Sequence, residues 1–402
     1  MDSQQLGQRV RTLRHLRHET MEVAAPMCGI TPRYLGRIER GERQPSTDVV
    51  KALARHFGVS TADLLEEAAA KPEPRASLSC SPAIVEALTR PGLPPRTPAA
   101  PAEELRQRTD DLWDLWQGSP WRFTAAEPRL PDLIRDVEHA AQAHRFGSDP
   151  QARREALRTS SDLYGLLRSY LRRTGRGDLS LLAADRALRA AQDADDPYRT
   201  GIARWNIGHI LLGQDDGAAH AEGVAQEAIH ELRRAPGGPH RDAIEGALHL
   251  VAVVAAARNR RWWHARDIIA QHAQPLARQT GEGNVGRMCF GPTNVALHAL
   301  TVEMMAGETS AGIRLADGTD TSQLPSRERQ FTFGLEVARL YDLRGEDPAV
   351  LVHLLELETL APEDLARSPI AATMVSGLLT RVGRTYRHQV AGLAGRLGLI
   401  PG

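Results

Sequence analysis

The stretch Ile30-Thr31-Pro32-Arg33-Tyr34-Leu35-Gly36-Arg37-Ile38-Glu39-Arg40-Gly41 decides how this 402-residue chain is read. Thr31 offers a hydroxyl to the free amides at a helix start, and Pro32 fits the first helical position, where no amide hydrogen is needed. Gly41 suits a left-handed residue closing the same helix. Arg33 and Arg37 stand four apart, so they share one face. The pattern continues outward. Leu6, Val10 and Leu13 keep helical spacing and predict a buried stripe, on a segment that also carries Arg9, Arg11, Arg14 and Arg17. Thr20 is suited to cap a second helix, which Gly29 ends. Pro45-Ser46 opens a fourth, with Val49, Val50, Leu53 and Phe57 inward and Gly58 at its end. Ser60-Thr61-Ala62-Asp63 reads as a capping box for a fifth. Residues 1–70 are thus predicted to hold five short helices.

This punctuation resembles the helix-turn-helix domain of phage-repressor type, the xenobiotic-response-element family. The resemblance is carried by Leu13-Arg14, Gly29-Ile30-Thr31, Tyr34-Leu35, Arg37 through Gly41, Pro45-Ser46 and Phe57-Gly58-Val59. It implies that the helix from Thr31 to Arg40 is a recognition helix for the major groove of double-stranded DNA. Thr31 and Arg33 then face base edges, with Arg37 one turn on; arginine bidentate to guanine is the commonest specific contact. Tyr34 would meet a phosphate, and Arg40, Arg43 and Ser46 would lie near the backbone. Thr20 stands where the family carries a serine at the start of helix two. Glu39 resembles the family's internal ion-pair partner for an arginine of helix one, here Arg14. Two departures affect docking. Met21 replaces a glutamine that commonly contacts phosphate or base, and Pro26 deletes a backbone hydrogen bond, so helix two should kink or end early.

Composition agrees. Lys+Arg and Asp+Glu are both 50, so the net charge is zero, which rules out a globally basic nucleic-acid binder. The cations concentrate locally: ten Lys and Arg against six Asp and Glu in residues 1–58, an excess of about four. The three cysteines, Cys28, Cys80 and Cys289, are widely spaced, which argues against a disulfide framework or zinc ribbon and for a reducing cytoplasm. The longest apolar run, Leu248 to Ala257, is too short to cross a membrane and contains His249. No membrane partner is expected, and the expected location is the cytoplasm, at the nucleoid.

Residues 71–102 contain eight prolines and read as a semi-rigid linker, with one short helix from Pro82 to Leu88. From residue 103 to residue 402 the pattern is helical throughout, and the whole chain reads as all-α. Helix pairs recur every 35 to 45 residues or so. One unit follows the tetratricopeptide pattern: Phe331, Gly334 and Ala338 on a first helix, then Tyr341, Gly345 at a turn, Val350 and Leu354 on a second, and Pro362 at the exit. A weaker match runs through Trp205, Gly208 and Leu212. Such pairs bury their apolar faces only by stacking, which predicts a tetratricopeptide-like right-handed helical solenoid with a concave face.

A helix-turn-helix domain joined to such an array resembles the peptide-pheromone sensor regulators of Gram-positive bacteria. Cys289-Phe290-Gly291-Pro292-Thr293-Asn294-Val295-Ala296-Leu297-His298 is similar to a stretch of large actinobacterial regulators of this architecture. The resemblance implies a homodimer and a concave site for a small-molecule or peptide ligand. Chemistry nominates the residues. Asn206 and His209 share a face, as do Asn294 and His298; an asparagine satisfies both sides of a peptide bond. Trp205 and Phe290 offer apolar walls, with Trp262 and Trp263 as further candidates, and Arg287 could hold a carboxylate. Gly281-Glu282-Gly283-Asn284-Val285-Gly286 spells a dinucleotide fingerprint but lacks the preceding strand it requires, and reads as an inter-helix loop. No metal-binding, nucleophile-elbow or phosphate-loop motif is present, so neither a cofactor nor an enzymatic activity is expected. A protein-interaction scaffold tethered to DNA is the alternative reading, and an open, charged groove would favour it.

Overall fold

The Thr31 hydroxyl accepts a hydrogen bond from the Tyr34 amide at 3.2 Å, and the helix it caps runs Pro32–Glu39. Around it the N-terminal residues form α1 (Ser3–Leu16), α2 (Met21–Met27), α3 (Pro32–Glu39) and α4 (Thr47–Phe57). This is a computed structural model, and it describes residues 3–16, 19–57, 79–89, 98–145, 148–383 and 385–400. The fifth helix expected from Ser60 lies outside the described residues, as does Gly58.

The predicted stripe holds. Leu6 and Val10 are buried with Leu35, Ile38, Val50, Leu53 and Phe57, and Leu13 and Val49 pack against them. α2 is seven residues long and ends one residue past Pro26, as a missing amide hydrogen and ring clash require. Gly29 and Gly41 both have positive φ, 68° and 71°, at the ends of α2 and α3. Thr20 sits at the start of α2 but makes no capping hydrogen bond. The Glu22 carboxyl is held below its ordinary value by its own backbone amide and then by the Thr20 hydroxyl.

The chain divides into two compact units, one of residues 1–76 with 376–402 and one of residues 77–375. The second is built of helices alone among the described residues. It begins with α5 (Pro82–Thr89), inside the proline-rich stretch. α5 is no free linker segment: Ile84, Ala87 and Leu88 are buried against Leu105, Trp116 and Leu130. Then come α6 (Ala102–Gly118), α7 (Arg122–Ala126), α8 (Leu130–Ala143), α9 (Pro150–Arg173), α10 (Gly177–Asp193), α11 (Pro197–Leu211), α12 (Ala218–Leu232) and α13 (Pro239–Arg258).

From α9 to α13 each helix packs on the next, and α11 also packs on α9 and on α13. That pairing makes a two-layered stack of helical hairpins, the tetratricopeptide-like arrangement. The predicted unit near the C-terminus is present as Arg327–Leu343 and Asp347–Leu360, with Gly345 at φ 72° between them. Phe331, Ala338, Val350 and Leu354 are buried there, and Tyr341 stacks on His353 at 5.3 Å. Among the described residues no helix is long and apolar enough to cross a membrane.

Candidate functional site

α3 is positioned from beneath by charge and from the side by shape. Glu39, its last residue, accepts two hydrogen bonds from Arg14 on α1, 2.6 Å from Nε and 2.8 Å from Nη2, with both side chains buried. Arg14 also donates to the Glu19 carbonyl at 2.8 Å. A Cβ on Gly7 would lie 2.2 Å from the Ile38 carbonyl oxygen, so α1 passes α3 at a distance only glycine permits. The buried face of α3 is Leu35, Gly36, Ile38 and Glu39.

The opposite face is open. Thr31, Arg33, Arg37, Arg40, Arg43 and Ser46 are exposed, as is Thr20 at the start of α2. Arg33 and Arg43 make no ion pair among the described residues. Arg40 is partly neutralised by Glu42, with Nε–Oε1 at 2.6 Å, and Arg37 lies 3.9 Å from the same carboxylate. That partner raises the pKa of Arg40 and lowers that of Glu42. Thr31 is exposed, and its hydroxyl oxygen accepts from the Tyr34 amide. Tyr34 is half-buried and leans on the core, so it is a support more than a free reaching group.

This geometry is what a recognition helix needs: a polar, cationic outer face on a rod clamped by a buried pair. Residues 10–64 match the helix-turn-helix family model. Over 64 residues the chain is 36% identical to an uncharacterised HTH-type transcriptional regulator, YazB of Bacillus subtilis (strain 168), covering 93% of that protein and 16% of this chain. The chain belongs to the helix-turn-helix transcriptional regulator family. Its N-terminal part is a DNA-binding domain of the xenobiotic-response-element type. Among solved structures it is similar to the apo form of ComR from S. thermophilus, at a TM-score of 0.34 and 11% identity, over 94% of this chain and all of that one. PlcR of Bacillus thuringiensis, solved with the peptide PapR7 and DNA, gives a TM-score of 0.29 and 10% identity, over 89% of this chain and 99% of that one.

Within the second unit, four of the nominated ligand residues line two neighbouring cavities. Trp205 and Arg287 border both. The first, about 220 Å³, also takes Asn206 with Asp162, Arg199 and Tyr198. The second, about 130 Å³, takes His209 with Arg168, Arg172 and Arg329. Trp113, on α6, is shared by the two. Desolvation in the groove, then the charges of Arg329, Arg168 and Arg172, hold the His209 imidazole well below its ordinary pKa. It is therefore a neutral polar group near neutral pH.

The other nominated residues stand elsewhere. Phe290 is a core side chain: it is 1% exposed and its ring fills the notch over Gly246, where a Cβ would lie 2.0 Å from it. Asn294 and His298 are buried on the helix Pro292–Ala306 and border neither cavity. His298 Nδ1 lies 2.8 Å from the Asn294 carbonyl, and burial followed by Arg329 brings its pKa to about 4. Arg287 is not free for a ligand carboxylate, because it pairs with Asp114 at 2.5 Å and Asp110 at 3.1 Å. The glycine-rich segment 281–286 is an inter-helix loop. Asn284 in it donates to Gln117 at 2.7 Å, and the Glu282 carboxylate accepts from the Thr293 amide at 2.7 Å, at the start of the next helix.

Sequence reasoning missed Arg168, Arg172 and Arg329. The first two stand four apart in the stretch Leu163–Arg173, where nearly every other side chain is apolar or buried. A cation placed amid a buried run was the available signal.

Proposed function

We propose that the chain is a sequence-specific transcription regulator, acting as a cytoplasmic homodimer, whose helical array binds a small signalling molecule or peptide that modulates DNA binding. The division is residues 1–70 for DNA and 103–402 for ligand and dimer contacts, with 71–102 between them and its helix α5 packed into the array. The carrying observation is the outer face of α3, where Thr31, Arg33 and Arg37 are exposed on a helix whose inner face Glu39 locks to Arg14. Arg33 and Arg37 read guanines in the major groove; Arg40, Arg43 and Ser46 hold the phosphate backbone, with Thr20 and Tyr34 at its flank. A two-fold dimer reads two half-sites about one helical turn apart or a multiple of it. The cavities bordered by Trp205, Asn206 and His209 supply the ligand site, with an apolar wall beside polar groups that satisfy an amide or acyl oxygen.

Selection from a random-sequence DNA pool, at stated salt, tests the reading. The wild-type chain enriches a palindromic or repeated site, and the double variant Arg33→Ala/Arg37→Ala does not. Equal, sequence-independent binding by both proteins overturns it.

A further inference from the structure

The smaller cavity of the array holds more positive charge than its own carboxylates neutralise. Five arginines border it: Arg168, Arg172, Arg173, Arg287 and Arg329. Two are spoken for. Arg287 pairs with Asp110 and Asp114. Arg173 pairs with Glu328 and lies 3.6 Å from Asp364, carboxylates that Arg122 also holds. Glu328 is the cavity's one carboxylate, and it is thereby saturated. Arg168, Arg172 and Arg329 make no ion pair among the described residues. Arg168 donates to Asn206 Oδ1, Arg172 donates to the His209 carbonyl at 3.3 Å, and neither acceptor carries charge.

Arg168 is 93% buried, lies 5.6 Å from the Trp205 ring and has an Nε–H without a partner. A buried guanidinium with an open donor is costly unless something anionic completes it. Crowding shows in its acidity: burial, then Arg172, lowers its pKa to about 9. Ser169, Ser326 and Thr332 add hydroxyl groups to the same walls. The volume, about 130 Å³, suits a compact head group and not a whole peptide.

We propose that Arg168, Arg172 and Arg329 form an oxyanion subsite, which holds the phosphate or carboxylate of the regulator's ligand while its body extends along Trp205 and Trp113 into the larger cavity. This rests on the ligand-sensing reading above and assigns to these three arginines the anion-holding role first given to Arg287.

The test uses the purified full-length chain. Inorganic phosphate and acetate are titrated separately, at ionic strength held constant with chloride, and tryptophan fluorescence and thermal midpoint are followed. The expected result is saturable binding that Arg172→Gln and Arg329→Gln each weaken about tenfold, while Arg189→Gln on the exposed face of α10 does not. Phosphate alone binding identifies a phosphate-bearing ligand, acetate alone a carboxylate, and both an oxyanion subsite of general use. No saturable response to either, or equal responses in all variants, overturns the subsite. DNA affinity measured in the same buffers is a separate readout. Anion binding that leaves it unmoved removes the coupling and spares the subsite.

Discussion

Arg14 and Glu39, twenty-five residues apart, meet in a two-pronged buried ion pair that ties α1 to the end of α3. Their side chains are only 7% and 4% exposed. Removing one partner leaves the other charged and buried, which costs about 3–5 kcal/mol. Glu39→Ala should therefore lower the unfolding midpoint of the DNA-binding domain strongly, whereas Glu39→Gln, which keeps one acceptor, should do so less. Chemical unfolding followed by circular dichroism checks both; a midpoint unmoved by Glu39→Ala would remove the pair's structural role.

Glu42 neutralises Arg40 and shades Arg37 on the exposed face of α3 and the turn after it, the face proposed to meet DNA. Glu42→Gln frees that charge and removes a carboxylate from the phosphate surface. DNA affinity should rise several-fold, and the slope of log affinity against log salt should steepen by about one. Fluorescence anisotropy across a salt series measures this, and an unchanged slope counts against Arg40 as a phosphate contact.

Gly246 faces the ring of Phe290, with no room for a methyl group between them. Gly246→Ala should destabilise the array by about 1–3 kcal/mol through overpacking. The double variant Gly246→Ala/Phe290→Leu should lose less than the sum of the single variants, because the new methyl group then has somewhere to go. Strict additivity in thermal denaturation would show that the two do not share one notch.

His298 is buried and neutral, and its pKa falls to about 4 through burial and Arg329. The unfolded chain has an ordinary imidazole near pH 6.5, so below that pH the unfolded state binds the proton and the folded state does not. Stability from this residue is complete above about pH 6.5, declines as pH falls to about 4, and is level below that. The loss attributable to His298 is at most about 3 kcal/mol. Melting curves across that window should flatten in His298→Gln, and a parallel decline in both proteins would assign the effect to other groups.

The helix-turn-helix domain was legible because its information is local. Thr31, Pro32 and Gly41 set the ends of one helix through groups within a few residues, and the stripe of Leu6, Val10 and Leu13 follows from helical periodicity alone. Even the Arg14–Glu39 pair could be placed, since it belongs to the family's pattern. Pro26 foretold the short second helix because a missing amide hydrogen acts wherever it occurs.

The proposed ligand site was only half legible. Trp205, Asn206 and His209 reached the cavities, but Phe290 went to the core and Arg287 to two aspartates on α6. Nothing within ten residues of Arg287 announces Asp110 or Asp114; the partners come from a helix about 170 positions earlier.

The sequence by itself determined the all-α class, the DNA-binding domain, its exposed arginines and the paired-helix repeat, because caps, periodicity and glycine turns act over a few residues. Tertiary structure alone decided which charges are cancelled. Arg287, Arg173 and Arg122 find carboxylates across the stack, while Arg168, Arg172 and Arg329 do not. Whether a cation of the array is neutral scaffolding or an open binding group depends on what lies within about 4 Å of it in space, which chain order does not record.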